Sequence, residues 1–138
     1  SSDIKRILVP MDQSHGLSKD FKYAVELSNV FGALNYILNV VEIGEHKIPP
    51  EIVEQMKGFC FRELKENVGK VKISENIEAC VEAAKNAWKG IIKVADEKHI
   101  DLIIMMTYGG RKFKEEFIGS VTQKVIQEAH CPVITIKP

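Results

Sequence analysis

Asp101-Leu-Ile-Ile-Met-Met-Thr-Tyr-Gly109-Gly110, followed after a basic loop by Gly119-Ser120-Val121-Thr122, is the stretch that decides how this 138-residue chain folds. Leu102 to Met106 is an apolar run of strand length. It ends in a loop with two glycines and three basic residues, Arg111, Lys112 and Lys114. Gly119-Ser120 then opens a segment in which Val121, Val125, Ile126 and Ala129 recur at helical spacing. Strand, glycine loop and helix N-terminus together suit an anion. The first-turn N–H groups are unpaired within the helix, the helix dipole favours negative charge there, and glycine removes the Cβ that would block close approach. A nucleotide pocket is the expectation.

Working outward, the rest of the chain alternates in the same way. Ile4 to Val9 is a β-branched run that stops at Pro10. Leu17 to Phe31 has helical period with Gly32 as its stop, and Tyr36 to Val41 is a second strand-length run. Gly44 to Pro50 reads as a loop. Ile52, Met56, Phe59, Cys60, Leu64 and Val68 return to helical period, ending near Gly69. Ile77 to Val81 is a weaker strand, Trp88, Ile91, Ile92 and Ala95 form a helical stripe, and Pro132 to Ile136 closes the chain as a strand. Strands that are apolar throughout are buried on both faces, which predicts a doubly wound α/β domain over residues 1–138 with a five-stranded parallel sheet and helices on both faces. In such sheets ligands bind beyond the C-terminal strand ends, where the strand order reverses. The loops Pro10 to Gly16 and Thr107 to Lys114 are the two polar exits with site-like content.

Composition excludes several function classes. With 19 basic and 19 acidic residues, and no long basic run, there is no electrostatic footprint for nucleic acid or an acidic membrane surface. No apolar stretch approaches the roughly 20 residues that span a bilayer. Cys60, Cys80 and Cys131 have neither metal-ligand nor redox-pair spacing and read as small buried hydrophobes, which points to a reducing cytoplasm. His15, His46, His99 and His130 are scattered without metal spacing, and only His15 falls near the expected crevice. There is no acid–base carboxylate pair, no nucleophile beside a histidine and no Walker-type lysine, so any hydrolysis of a bound nucleotide is expected to be slow or partner-dependent.

Taken together, these segments resemble the universal stress protein family. Ile7-Leu-Val-Pro-Met-Asp12-Gln-Ser14 resembles its opening strand and Asp-x-Ser turn, and Leu38-Asn-Val40-Val-Glu42 its second strand. Asp101-Leu-Ile-Ile-Met resembles the run before its glycine motif, and Cys131-Pro-Val-Ile-Thr-Ile136 its closing strand. The resemblance implies strand order 3-2-1-4-5 and a stress-response regulator that binds ATP or a related adenine nucleotide as a sensor or switch. The ATP-binding members have Gly-x-x-Gly, nine residues, then Gly-Ser or Gly-Thr. Gly109 and Gly119-Ser120 keep that spacing, whereas Met106 stands where the first glycine would be. Met106 either restricts the pocket, leaving a nucleotide-free interaction module, or presents only its flexible edge.

The residues expected at the nucleotide are Pro10, Asp12, Ser14, Val40, Met106, Gly109, Gly119, Ser120 and Val121. By the resemblance, Asp12 contacts ribose hydroxyls or helps hold Mg or Mn on the phosphates; it also reads as a turn aspartate capping the next helix. Val40 offers backbone N–H and C=O to the adenine edge, and also reads as strand core. Ser120 donates to phosphate or acts as a helix cap. Arg111, Lys112 and Lys114 steer an anion or simply face solvent. The resemblance further implies a homodimer through the C-terminal strand Val133 to Ile136, which would otherwise be an exposed apolar edge.

Overall fold

A computed structural model describes residues 3–11, 19–71, 76–106 and 119–136, without the side chains of residues 19–21, 71 and 106. The strands are β1 Arg6–Pro10, β2 Leu34–Glu42, β3 Ile77–Ala84, β4 Leu102–Met106 and β5 Val133–Ile136. The helices are α1 Lys19–Asn29, α2 Pro50–Val71, α3 Ala87–Glu97 and α4 Ser120–Glu128. The strands form one sheet in the order β3-β2-β1-β4-β5, every neighbouring pair parallel.

Each face of the sheet has its own apolar layer. Ile7, Val9, Ile37 and Ile104 meet Ala24 and Val25 of α1 and Leu64 of α2 on one side. Leu8, Leu38, Ile103 and Met105 meet Ile91 and Val94 of α3 and Val125 of α4 on the other. Alternation of side chains along each strand sorts the layers, and burial on both faces is why the strands read as continuous apolar runs. Asn35 of β2 is the exception: it is fully buried, and neither polar atom of its side-chain amide has a hydrogen-bond partner.

The element boundaries differ from expectation in instructive places. α1 gives way to a turn in which Gly32 takes φ +64°, a conformation suited to glycine. β1 includes Pro10 as its last residue instead of stopping before it. α2 continues two residues past Gly69, and β3 runs three residues past Val81 to Ala84. At the opposite end from the expected site, the Asp101 carboxylate accepts the backbone N–H groups of Lys5 (2.9 Å) and Arg6 (3.0 Å), and the Asp101 N–H donates to the Arg6 carbonyl (2.9 Å). This clip joins the start of β1 to the entry of β4.

Candidate functional site

The chain moves outward from β1 in both directions, to β2 and β3 on one side and to β4 and β5 on the other, so the sheet reverses between β1 and β4. Their pairing is short. β1 and β4 are in register at Ile7–Leu102 and Leu8–Ile103 only, whereas β1 stays paired with β2 to Pro10–Leu38 and β4 with β5 to Met106–Ile136. Pro10 has no N–H with which to continue a ladder. The C-terminal halves of the two central strands therefore diverge, which is the geometry of a ligand crevice at a reversal point.

β2 extends four residues beyond Leu38, its last partner on β1. In a parallel ladder the N–H and C=O of one residue point to the same neighbour, and successive residues alternate. Leu34 N–H donates to Lys5 C=O (2.9 Å) and Leu38 C=O accepts Met11 N–H (2.9 Å), so the even-numbered residues of β2 face β1. Asn35 N–H donates to Asn76 C=O (2.8 Å) and Ile43 N–H to Ala84 C=O (2.9 Å), so the odd-numbered ones face β3. Val40 is even. Its N–H and C=O point to the side on which β1 has ended, and no described residue of β1 continues the ladder to it. The Met11 carbonyl, next in line, accepts the Asn39 side-chain amide at 3.3 Å. The Val40 side chain packs into the α3–α4 layer. The Val40 side chain is thus core, and among the described residues its backbone N–H and C=O have no strand partner on the β1 side.

Parallel β4 and β5 require α4 to run back across the sheet, which puts the α4 N-terminus at this same end. Gly119 is the N-cap (φ −61°, ψ 153°) and supplies no side-chain cap hydrogen bond. Ser120 is the first helical residue, so the reading of Ser120 as the cap is corrected: the cap position belongs to the glycine, one residue earlier. Val121 is half-buried and packs into the α3–α4 layer, leaving its backbone as what it can offer at the helix start. Met106 ends β4 beside Ile136. Asp12, Ser14, His15, Gly109, Arg111, Lys112 and Lys114 lie outside the described residues.

α3 also begins at this end. Its N-cap Asn86 accepts the Lys89 N–H at 3.1 Å, and Glu42, at the tip of β2, accepts the Ala87 N–H at 2.7 Å. A carboxylate at a helix N-terminus is favoured by the dipole. Trp88 is half-buried and packs into the α3–α4 layer, with the Lys124 ammonium 5.2 Å and the Lys89 ammonium 5.6 Å from its ring, consistent with a packing anchor. Asn39 and Glu42 carry no sequence signal that marks them as site residues. Their parts depend on where β1 ends and how close α3 lies, and no spacing motif reports either.

Burial pushes the Cys80 thiol up to about 11, and burial also raises Cys60 and Cys131. His130, exposed at the far end of α4, is raised by its 3.0 Å hydrogen bond to Asp96 and by the charge of that carboxylate. Among the described residues no three His, Cys, Asp or Glu side chains gather to hold a metal, and no helix is long and apolar enough to cross a membrane.

Residues 3–137 match the model of the universal stress protein family. A universal stress protein of Methanocaldococcus jannaschii is 26% identical over 142 residues, spanning 96% of this chain and 82% of that protein. Among solved structures, universal stress protein UspA from Lactobacillus plantarum aligns with a TM-score of 0.76 at 23% identity, covering 99% of each chain. The universal stress protein from Archaeoglobus fulgidus in complex with dAMP aligns with a TM-score of 0.66 at 23% identity, covering 96% of this chain and 98% of that one. At these identities the two structures establish the fold.

Proposed function

This chain belongs to the universal stress protein family, and from that premise we propose that it is a stress-response regulator that binds ATP or a related adenine nucleotide in the crevice between β1 and β4. The observation that carries this reading is the Val40 backbone edge, aimed past the end of β1. Adenine presents a ring-nitrogen acceptor beside an amino donor, the complement of a strand residue's N–H and C=O. Guanine presents the reverse pattern on the same edge. The dAMP held by the Archaeoglobus relative supports the same class of ligand.

In this reading Pro10 and Met106 line the base and ribose end, and Asp12 and Ser14 meet the ribose or the phosphates. Asp12 also helps hold a Mg or Mn ion carried in on the nucleotide. Gly109, Gly119, Ser120 and Val121 receive phosphate through backbone N–H groups and the Ser120 hydroxyl. Gly119 suits that task because an N-cap without a side chain leaves the α4 N-terminus open to an external anion. The chemistry is that of a sensor or switch working in the cytoplasm as one domain over residues 1–138, with hydrolysis at most slow.

The partner is a second copy through β5. By the alternation that fixes β2, Ile103 N–H donating to Pro132 C=O turns the even residues of β5 toward β4 and leaves Val133 and Thr135 facing outward. β3, the other edge, has Glu78 and Glu82 along it, charges that guard an edge against pairing, whereas Val133–Ile136 has none.

Thermal unfolding with and without ATP and magnesium tests the nucleotide reading. Ligand at about a hundredfold over its dissociation constant adds roughly 2.7 kcal/mol. Gly119→Val should remove the shift by putting a branched side chain at the phosphate. A wild-type protein whose Tm ignores millimolar ATP would favour the nucleotide-free interaction module instead.

A further inference from the structure

We propose that Gly90 and Glu42 are positioning residues that clamp the overhang of β2 against α3 and so hold the Val40 N–H and C=O in place for the base. This rests on the nucleotide reading above and adds to it a device that no motif of the chain announces.

The overhang needs such a device. Beyond Leu38 no described residue pairs with it as a strand on the β1 side, and besides the Asn39 amide on the Met11 carbonyl there are ties to β3 and α3. Two backbone ties run to the end of β3 and the turn after it: Ile43 N–H to Ala84 C=O (2.9 Å) and Gly44 N–H to Lys85 C=O (3.0 Å). The third is the Glu42 carboxylate on the Ala87 N–H at 2.7 Å, a charge-assisted bond at a helix N-terminus. The fourth is steric. A Cβ built on Gly90 would stand 2.7 Å from Val40 Cγ1, 2.9 Å from Val40 Cγ2 and 3.2 Å from Ala84 Cβ. A valine is stiff at χ1 and both of its methyls are in the way, so the clash cannot be relieved by swinging one flexible end aside.

Glycine inside a helix costs about 1 kcal/mol relative to alanine. At Gly90 that cost is offset by letting the α3 backbone lie directly on Val40, the residue whose backbone is the open edge. Reading a base with two groups at once requires both to be held within about 0.5 Å. Any added bulk at position 90 has to push β2 away from α3, and the Val40 edge moves with it.

The test measures binding of ATP, GTP and inorganic tripolyphosphate, each with magnesium, to the wild type, to Gly90→Ala, to Gly90→Ala combined with Val40→Ala, and to Glu42→Ala. Wild type should prefer ATP to GTP. In Gly90→Ala that preference should fall by about tenfold, the scale of one lost two-point base contact, while tripolyphosphate binds as before. Trimming Val40 in the same protein should restore the preference, since it frees the space and keeps the backbone groups. Glu42→Ala, a change at an exposed side chain, should lower the preference in the same direction and serves if Gly90→Ala fails to fold. An unchanged ATP/GTP ratio in Gly90→Ala or, if that variant does not fold, in Glu42→Ala overturns the clamp while leaving nucleotide binding standing. Equal loss of ATP and tripolyphosphate also overturns it, because that is general loosening. Wild type binding none of the three overturns the nucleotide reading, and the clamp with it.

Discussion

Asp101 holds Arg6 from two directions: its carboxylate accepts the Arg6 N–H at 3.0 Å, and its own N–H donates to the Arg6 carbonyl at 2.9 Å. The two central strands are thereby stapled at their N-terminal end, and they part company after Leu8–Ile103. The two strands are thus tied at one end and unpaired beyond Leu8–Ile103 at the other. Asp101→Ala removes the acceptor of two backbone N–H groups and should lower stability by about 1–2 kcal/mol, since hydrogen bonds to a charged acceptor are worth more than neutral ones. Urea unfolding checks this. Because the clip lies at the far end of the strands from the site, nucleotide affinity of the folded variant should stay within about twofold, as expected for distant, uncoupled sites.

Met106→Gly tests whether the methionine that departs from the family's glycine motif obstructs the pocket. If it does, the variant binds ATP more tightly than wild type, despite the backbone freedom that glycine adds at a strand end. Unchanged or weaker affinity in a folded variant would clear Met106 of that role.

Much of this architecture was legible in the chain. The bounds of β4, Leu102 to Met106, are legible to the residue, because a run buried on both faces and bounded by polar residues leaves little room for error. β3 reads short from the sequence because Glu82 breaks its apolar run after Val81, as happens on an edge that faces water. Pro10 reads as a terminator, yet it belongs to β1. As an even-numbered residue it lacks its N–H on the β4 side, where the ladder has already ended, so the loss costs nothing there. In the sequence only the resemblance points to Val40. The reason its backbone is available, the parity of β2 against a shorter β1, exists only once the register is known. Gly90 was illegible for the same reason: closeness between α3 and β2 is a tertiary fact.

The C-terminal edge offers a prediction that register makes clean. The Thr135 N–H points away from β4, so Thr135→Pro should spare the β4–β5 ladder while removing a donor from the outer edge. Light scattering at tens of micromolar should give a dimer for wild type and a mass nearer the monomer for the variant. A wild-type monomer, or a dimer indifferent to the proline, would contradict pairing through β5.

Cysteine chemistry should follow burial. With its thiol near 11, Cys80 has on the order of one part in a thousand as thiolate at pH 8, and thiolate is the reactive form. Alkylation of the native protein at pH 8, followed by peptide mass spectrometry, should label Cys80 far more slowly than a denatured control labels it. Equal rates would place Cys80 in open solvent, against its packing in the α3–α4 layer.

Backbone amide NMR reads directly where the nucleotide sits. Titrating ATP with magnesium into the labelled protein should move the amides of Val40, Ser120 and Val121 most, along one saturable curve, while those of Lys5 and Arg6 at the opposite end stay still. No saturable shift at millimolar ATP, or shifts that leave Val40 and the start of α4 untouched, would contradict the account.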